Sequence, residues 1–117
     1  MTSKTMNQIE NMKAQTIGVE VEMNNITRQD AAKVAAEFFG TGRYEDTAHR
    51  NGYYTWSAWD AQGREWKFGR DVSIAGPDSQ KCELVTPILR YEDIETLQEL
   101  IRQLRHAGAK RDRKSVV

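Results

Sequence analysis

The stretch YYTWSAWDAQGREWKFGRDVSI, residues 53–74, decides how the chain folds. Its first part, 53–61, is rich in aromatic and β-compatible residues. Ala61-Gln62-Gly63 supplies a turn, and a second run follows from Arg64 to Ile74. Two such runs joined by a short glycine-containing turn predict a β-hairpin. Side chains alternate along a strand, so Trp66 and Phe68 share one face. Lys67, Gly69 and Asp71 share the other.

Further along, AGPDSQ at 75–80 is another turn cluster, and KCELVTPILR at 81–90 is another strand. Cys82, Leu84, Thr86 and Ile88 fall on one face; Glu83, Val85 and Pro87 fall on the other. Pro87 cannot donate to a ladder and belongs at a strand end or an edge. Next, YEDIETLQELIRQLRHAG at 91–108 carries an unbroken helical stripe of Ile94, Leu97, Leu100, Ile101 and Leu104. Glu92 and Asp93 in its first turn and Arg102, Arg105 and His106 in its last suit the helix dipole. Gly108 fits the stop.

Upstream of the hairpin, QTIGVEVEM at 15–23 alternates as a strand does, with Ile17, Val19 and Val21 opposite Gly18, Glu20 and Glu22. A helix is expected over 28–39, with Thr27 and Asp30 resembling a capping box and Gly40 ending it. Residues 41–52 read as a loop. The order β-α-β-β-β-α implies an α+β fold, a mostly antiparallel sheet of about four strands with two helices packed on it.

The chain has 117 residues, enough for one domain. The expected division is a flexible arm at 1–14, the α+β domain at 15–109 and a basic tail at 110–117. Lys+Arg and Asp+Glu both total 17, which argues against a general electrostatic grip on nucleic acid or an anionic membrane. There is no apolar run long enough for a membrane helix, and no secretory h-region. The single cysteine, Cys82, excludes an internal disulfide and a thiolate zinc cluster. A cytoplasmic location is the expectation that follows. The tail residues Arg111, Arg113 and Lys114 read as a solvated end, or as a contact with an acidic partner or phosphates.

Glu20-x-Glu22 puts two carboxylates on one strand face, where they suit either solvent or a hard cation such as Mg²⁺. Glu83 lies among apolar neighbours and needs a partner, either Lys67 or Arg70 or a metal. Trp56 and Trp59 serve core packing or an exposed stacking surface. Neither His49 nor His106 has a catalytic context, and no phosphate-binding glycine loop or nucleophile triad is present.

Three segments together resemble the amidoligase family of phages, mobile elements and their bacterial hosts. They are TIGVEVEMNNITRQDAAKVAAEFFGT, GREWKFGRDVSI and CELVTPILRYEDIETLQELIRQLRHAGAK, covering roughly residues 16–110. Gly18-Val19-Glu20-Val21-Glu22 matches its first-strand pattern. Trp66 to Ile74 matches its W-K-x-x-x-D-x-S-I segment, and Glu83 to Leu89 its E-[LI]-V-[ST]-P-x-L strand. The resemblance implies ATP-dependent joining of a carboxylate to an amine, distantly similar to glutamine synthetase. It implies that Glu20, Glu22 and Glu83 are metal or nucleotide ligands. It makes Lys67, Arg70 and Asp71 substrate or phosphate contacts.

Full-length members of that family continue into a strand with a G-x-H-x-H-type motif that this sequence lacks. The expectation is therefore a truncated domain that is not catalytic alone and carries no cofactor alone. It would work as a protein-binding module, with Arg111, Arg113, Lys114, Trp56 and Trp59 as partner contacts. One such role is a phage-type inhibitor of a host defence system, anti-CRISPR-like. The alternative is a Mg- and ATP-dependent ligase subunit, completed by another chain or by self-association through the face left uncovered. An inactive fragment is the third case.

Overall fold

The computed structural model describes residues 16–52, 54–70 and 81–111. The elements in chain order are β1 (Thr16–Ile17), β2 (Glu20–Asn24), α1 (Arg28–Phe39), β3 (Tyr44–Asp46) and α2 (Ala48–Asn51). Then come β4 (Trp56–Trp59), β5 (Glu65–Gly69), β6 (Cys82–Val85), β7 (Leu89–Arg90), α3 (Ile94–His106) and β8 (Lys110–Arg111). A 3₁₀ turn at Tyr91–Asp93 leads into α3. The fold is α+β. Its main sheet has six antiparallel strands in the order β3-β4-β5-β6-β2-β8, and β1 and β7 form a separate two-stranded ribbon.

Both expected helices form for the expected reasons. The Thr27 hydroxyl accepts from the Asp30 amide at 3.0 Å and caps α1. Gly40 ends it at φ 79°, a left-handed conformation that a Cβ would oppose. In α3, Leu97, Leu100 and Leu104 are buried, which is the stripe the spacing predicts.

Directly opposed residues of an antiparallel ladder point to the same face. Val21, Leu84, Phe68 and Trp56 are successive partners across four strands, and Trp66 pairs with Ala58 and Ala58 with Tyr44. This is the face covered by the helices, where Trp66, Phe68, Leu84, Leu100 and Ala35 are fully buried. Each large side chain there contributes about 2 kcal/mol by leaving water. The opposite face carries Glu20, Val85, Lys67 and Ser57 in one row and Glu22, Glu83 and Gly69 in the next.

Four features differ from the sequence reading. The strands expected at 15–23 and 81–90 each break in two, because Val19 and Thr86 bond to one another instead of continuing a ladder. The Val19 amide donates to the Thr86 hydroxyl at 2.9 Å, and the Thr86 amide to the Val19 carbonyl at 3.0 Å. The expected four-stranded sheet gains β3 and β8 at its edges. The expected loop at 41–52 contains β3 and α2. Lys110 and Arg111, assigned to the tail, pair with Asn24 and Met23 as β8. Asp71, Arg113 and Lys114 lie outside the described residues.

A buried carboxylate closes the β4–β5 hairpin. Asp60 Oδ1 accepts from the Gln62 and Arg64 amides at 3.0 and 2.9 Å. Its Oδ2 accepts from Arg64 Nε at 2.8 Å and from Trp66 Nε1 at 2.9 Å. Arg64 then reaches Asp93 through two bonds of 2.9 and 3.2 Å, linking the hairpin to the start of α3. Asp93 also accepts from the Arg90 amide at 2.8 Å. Hydrogen bonding from Arg64, then from Arg90, holds the Asp93 carboxyl below the usual carboxylate range.

Two outcomes follow from this chain of contacts. Asp60→Ala strands several buried donors and should cost about 3 kcal/mol of stability in urea unfolding. Asp93 is more acidic folded than unfolded, so its contribution is complete above its unfolded value of about 3.9 and disappears as pH falls through the folded value. Unfolding midpoints measured below about pH 4 should therefore drop more steeply for the wild type than for Asp93→Asn.

Candidate ligand-binding face of the sheet

Strand alternation places every described carboxylate singled out from the sequence on the face turned away from the helices. Glu22 stands directly opposite Glu83, and Glu20 lies two residues before Glu22 on the same face. Lys67 is the cross-strand partner of Val85, and Gly69 that of Glu83. Glu22, Glu83, Lys67 and Arg70 are half-buried, and Glu20 is exposed. Like charges at directly opposed positions repel.

Beside these residues is an open pocket of about 190 Å³ lined by Asn51, Thr55, Lys67, Gly69, Arg70, Glu83 and Val85. The sheet supplies its floor. Its far wall is α2 and the turn after it, which fold back over the outward face. A Cβ at Gly69 would meet the Thr55 hydroxyl at 3.4 Å, so glycine keeps that wall close. Tyr54, the residue before Thr55, sits at φ 57°, an uncommon conformation for a bulky residue.

A polar network supports that wall. Thr47 and Ser57 are fully buried, and their hydroxyls bond to one another at 2.8 Å. Asn51 Nδ2 donates to the Thr47 hydroxyl at 3.0 Å and to Glu65 Oε2 at 3.2 Å. Arg50 forms an ion pair with the same Glu65 oxygen. Burial works to raise the Glu65 carboxyl, but bonds from Ser57, Arg50 and Asn51 outweigh it and hold the group below its ordinary value. The sequence reading missed Asn51, Thr55 and Glu65. Asn51-Gly52 carried a turn signal only, and nothing local linked it to Glu65.

The remaining candidates are placed as follows. Trp59 is buried beneath the Arg43 guanidinium, which lies 4.3 Å from its ring centroid. Trp56 is half-buried against the core and tilts against the Tyr44 ring. Cys82 is fully buried, and burial pushes its thiol up to about 12, so it is no nucleophile. Among the described residues no group of three or more His, Cys, Asp or Glu side chains is gathered tightly enough to hold a metal by itself. No helix among them is long and apolar enough to cross a membrane.

Comparison with protein families matches the chain to the family described as "Putative amidoligase enzyme", over residues 13–116. The chain belongs to this amidoligase family. Neither a curated protein nor a solved structure matches it. The match spans α1, α2, α3 and the whole main sheet.

Proposed function

We propose that the outward face of the sheet is the magnesium–nucleotide wall of an ATP-dependent carboxylate–amine ligase. The observation that carries this reading is the direct cross-strand opposition of Glu22 and Glu83 next to Lys67. The donor set is oxygen-only, which suits a hard cation. Two carboxylates rather than a closed cage also suit Mg²⁺, which keeps water and phosphate oxygens in its coordination sphere. Glu22 and Glu83, with Glu20 beside them, would hold the ion. Bound there, it would neutralise phosphate charge during phosphoryl transfer.

The chain's own residues have separable tasks in this reading. Lys67 and Arg70 offer positive charge to phosphate or carboxylate oxygens. The β5–β6 ladder fixes the spacing between Lys67 and Glu83, and Arg70 follows directly on its last pair. Catalysis of this kind depends on preorganised charge, which a sheet supplies with little reorganisation.

A second reading puts the function in a protein partner, such as a host defence system that the chain would inhibit. It is favoured by Ile17, Ile88 and Tyr91, which are 43%, 70% and 47% exposed on β1, just before β7 and just after it. Self-association is the simplest form of such docking. Sedimentation should then show a concentration-dependent dimer that Ile88→Asp abolishes; a monomer at every concentration contradicts it.

Calorimetric titration with ATP tests the first reading. Saturable binding should require Mg²⁺ and weaken by about tenfold or more in Glu83→Gln and Glu22→Gln. Arg102→Ala, on the exposed side of α3, should bind as the wild type does. Absence of heat, or binding indifferent to Mg²⁺, contradicts the assignment.

A further inference from the structure

We propose that Asn51 is a site of spontaneous deamidation, locked by its hydrogen bonds while α2 is closed and released when α2 opens. The inference stands apart from the ligase reading. Its basis is the pair Asn51-Gly52 at the end of a single helical turn, together with the bonds that hold the pair in place.

The chemistry needs no enzyme and no co-reactant except water. The Gly52 backbone nitrogen, its proton lost to solvent base, attacks the Asn51 side-chain carbonyl carbon. The new N–C bond closes a cyclic imide. The Cγ–Nδ2 bond breaks, and ammonia leaves with a proton taken from water. Water then opens either imide carbonyl, giving aspartate or isoaspartate. A following glycine favours this attack, because it has no Cβ to obstruct its nitrogen and its backbone turns freely.

The closed structure prevents the attack at both partners. The Gly52 amide donates to the Ala48 carbonyl at 2.9 Å, so the nucleophile is occupied. The Gly52 carbonyl accepts from the Thr55 amide at 3.1 Å and from the Thr55 hydroxyl. Asn51 Nδ2 is drawn away from Gly52 by the Thr47 hydroxyl at 3.0 Å and by Glu65 Oε2 at 3.2 Å. Thr47 is fully buried, and Arg50 holds Glu65 in turn. Opening is nevertheless local, because α2 has only four residues and none of them is buried.

The product cannot restore the lock. A carboxylate at position 51 has no donor for Thr47 or Glu65, and it sets a like charge against the Glu65 carboxylate. Isoaspartate also adds a methylene to the main chain between α2 and Gly52. Asn51 and Thr55 both line the pocket, so its far wall is lost with the lock. Deamidation thereby makes a transient opening permanent.

The test incubates the purified chain at neutral pH and follows Asn51 by peptide mass spectrometry, with chromatographic separation of aspartate from isoaspartate. Asn25, whose neighbour Ile26 is β-branched, is the internal control and should stay intact. The folded chain should convert Asn51 about 100-fold more slowly than the chain unfolded in urea, since several hydrogen bonds must break together. Glu65→Gln should speed the folded chain about tenfold. Arg50→Gln, at an exposed position, should speed it less and serves if Glu65→Gln does not fold. Urea below the unfolding transition should barely change the rate, because opening α2 exposes little surface. In the converted chain, and in Asn51→Asp, the ¹⁵N amide resonances of Thr55 and Gly69 should shift while that of Leu100 in α3 stays. Conversion as fast in the folded chain as in the unfolded one overturns the proposal. So does a rate that neither variant moves, or one that climbs with urea in step with global unfolding. Unshifted Thr55 and Gly69 resonances after conversion overturn the loss of the wall.

Discussion

The register of β2 against β6 and of β6 against β5 is the constraint on which the rest of the structure depends. Side chains alternate with period two, so a one-residue slip exchanges the faces. A slipped β6 would carry Leu84 and Cys82 into solvent and drive Glu83 into the apolar core. The lost burial alone is about 2 kcal/mol per large side chain, and an ionised carboxylate in that layer costs several more. The core and the carboxylate-bearing outward face are therefore fixed by a single pairing choice. At the β2–β6 pairing Val19 and Thr86 exchange bonds of 2.9 and 3.0 Å where the strands leave the main sheet. In the neighbouring β4–β5 hairpin, Asp60 closes the turn and holds Trp66 by its indole nitrogen.

Much of this was legible in the sequence because it is local. The capped start of α1, the leucine stripe of α3 and the alternation of Glu20 and Glu22 need only neighbouring residues to be read. The same alternation placed Trp66 and Phe68 opposite Lys67 and Gly69. What escaped is short or distant. Two-residue strands such as β1, β7 and β8 have no period to detect. The stretch 41–52 looked like loop because Gly42 and Gly52 are turn formers, and both do adopt positive φ, yet β3 and α2 lie between them. Asn51 and Glu65 meet across 14 residues of sequence. Ser57 lay inside an aromatic run that advertised packing, not a buried hydroxyl network.

The balanced composition conceals a strongly organised charge distribution. One face of the sheet is almost wholly apolar. The other sets three carboxylates and a lysine within a few strand positions of each other. That separation follows from the pleat, since polar groups excluded from one face accumulate on the other. The buried hydroxyls of Thr47 and Ser57 extend the polar side inward, and a satisfied network of this kind rigidifies the wall it supports. Membership of the amidoligase family gives the arrangement a chemical context, and the pairing of Glu22 with Glu83 gives it a place in the fold.

The most direct test of the account is paramagnetic broadening of amide resonances by Mn²⁺–ATP, with Mn²⁺ standing in for Mg²⁺. If the outward face of β2, β6 and β5 is the ligand wall, signals from Glu22, Glu83 and Lys67 should broaden first, and those of α3 on the opposite face should persist. Broadening centred on α3 or on the β1–β7 ribbon, or spread evenly over the chain, would contradict it.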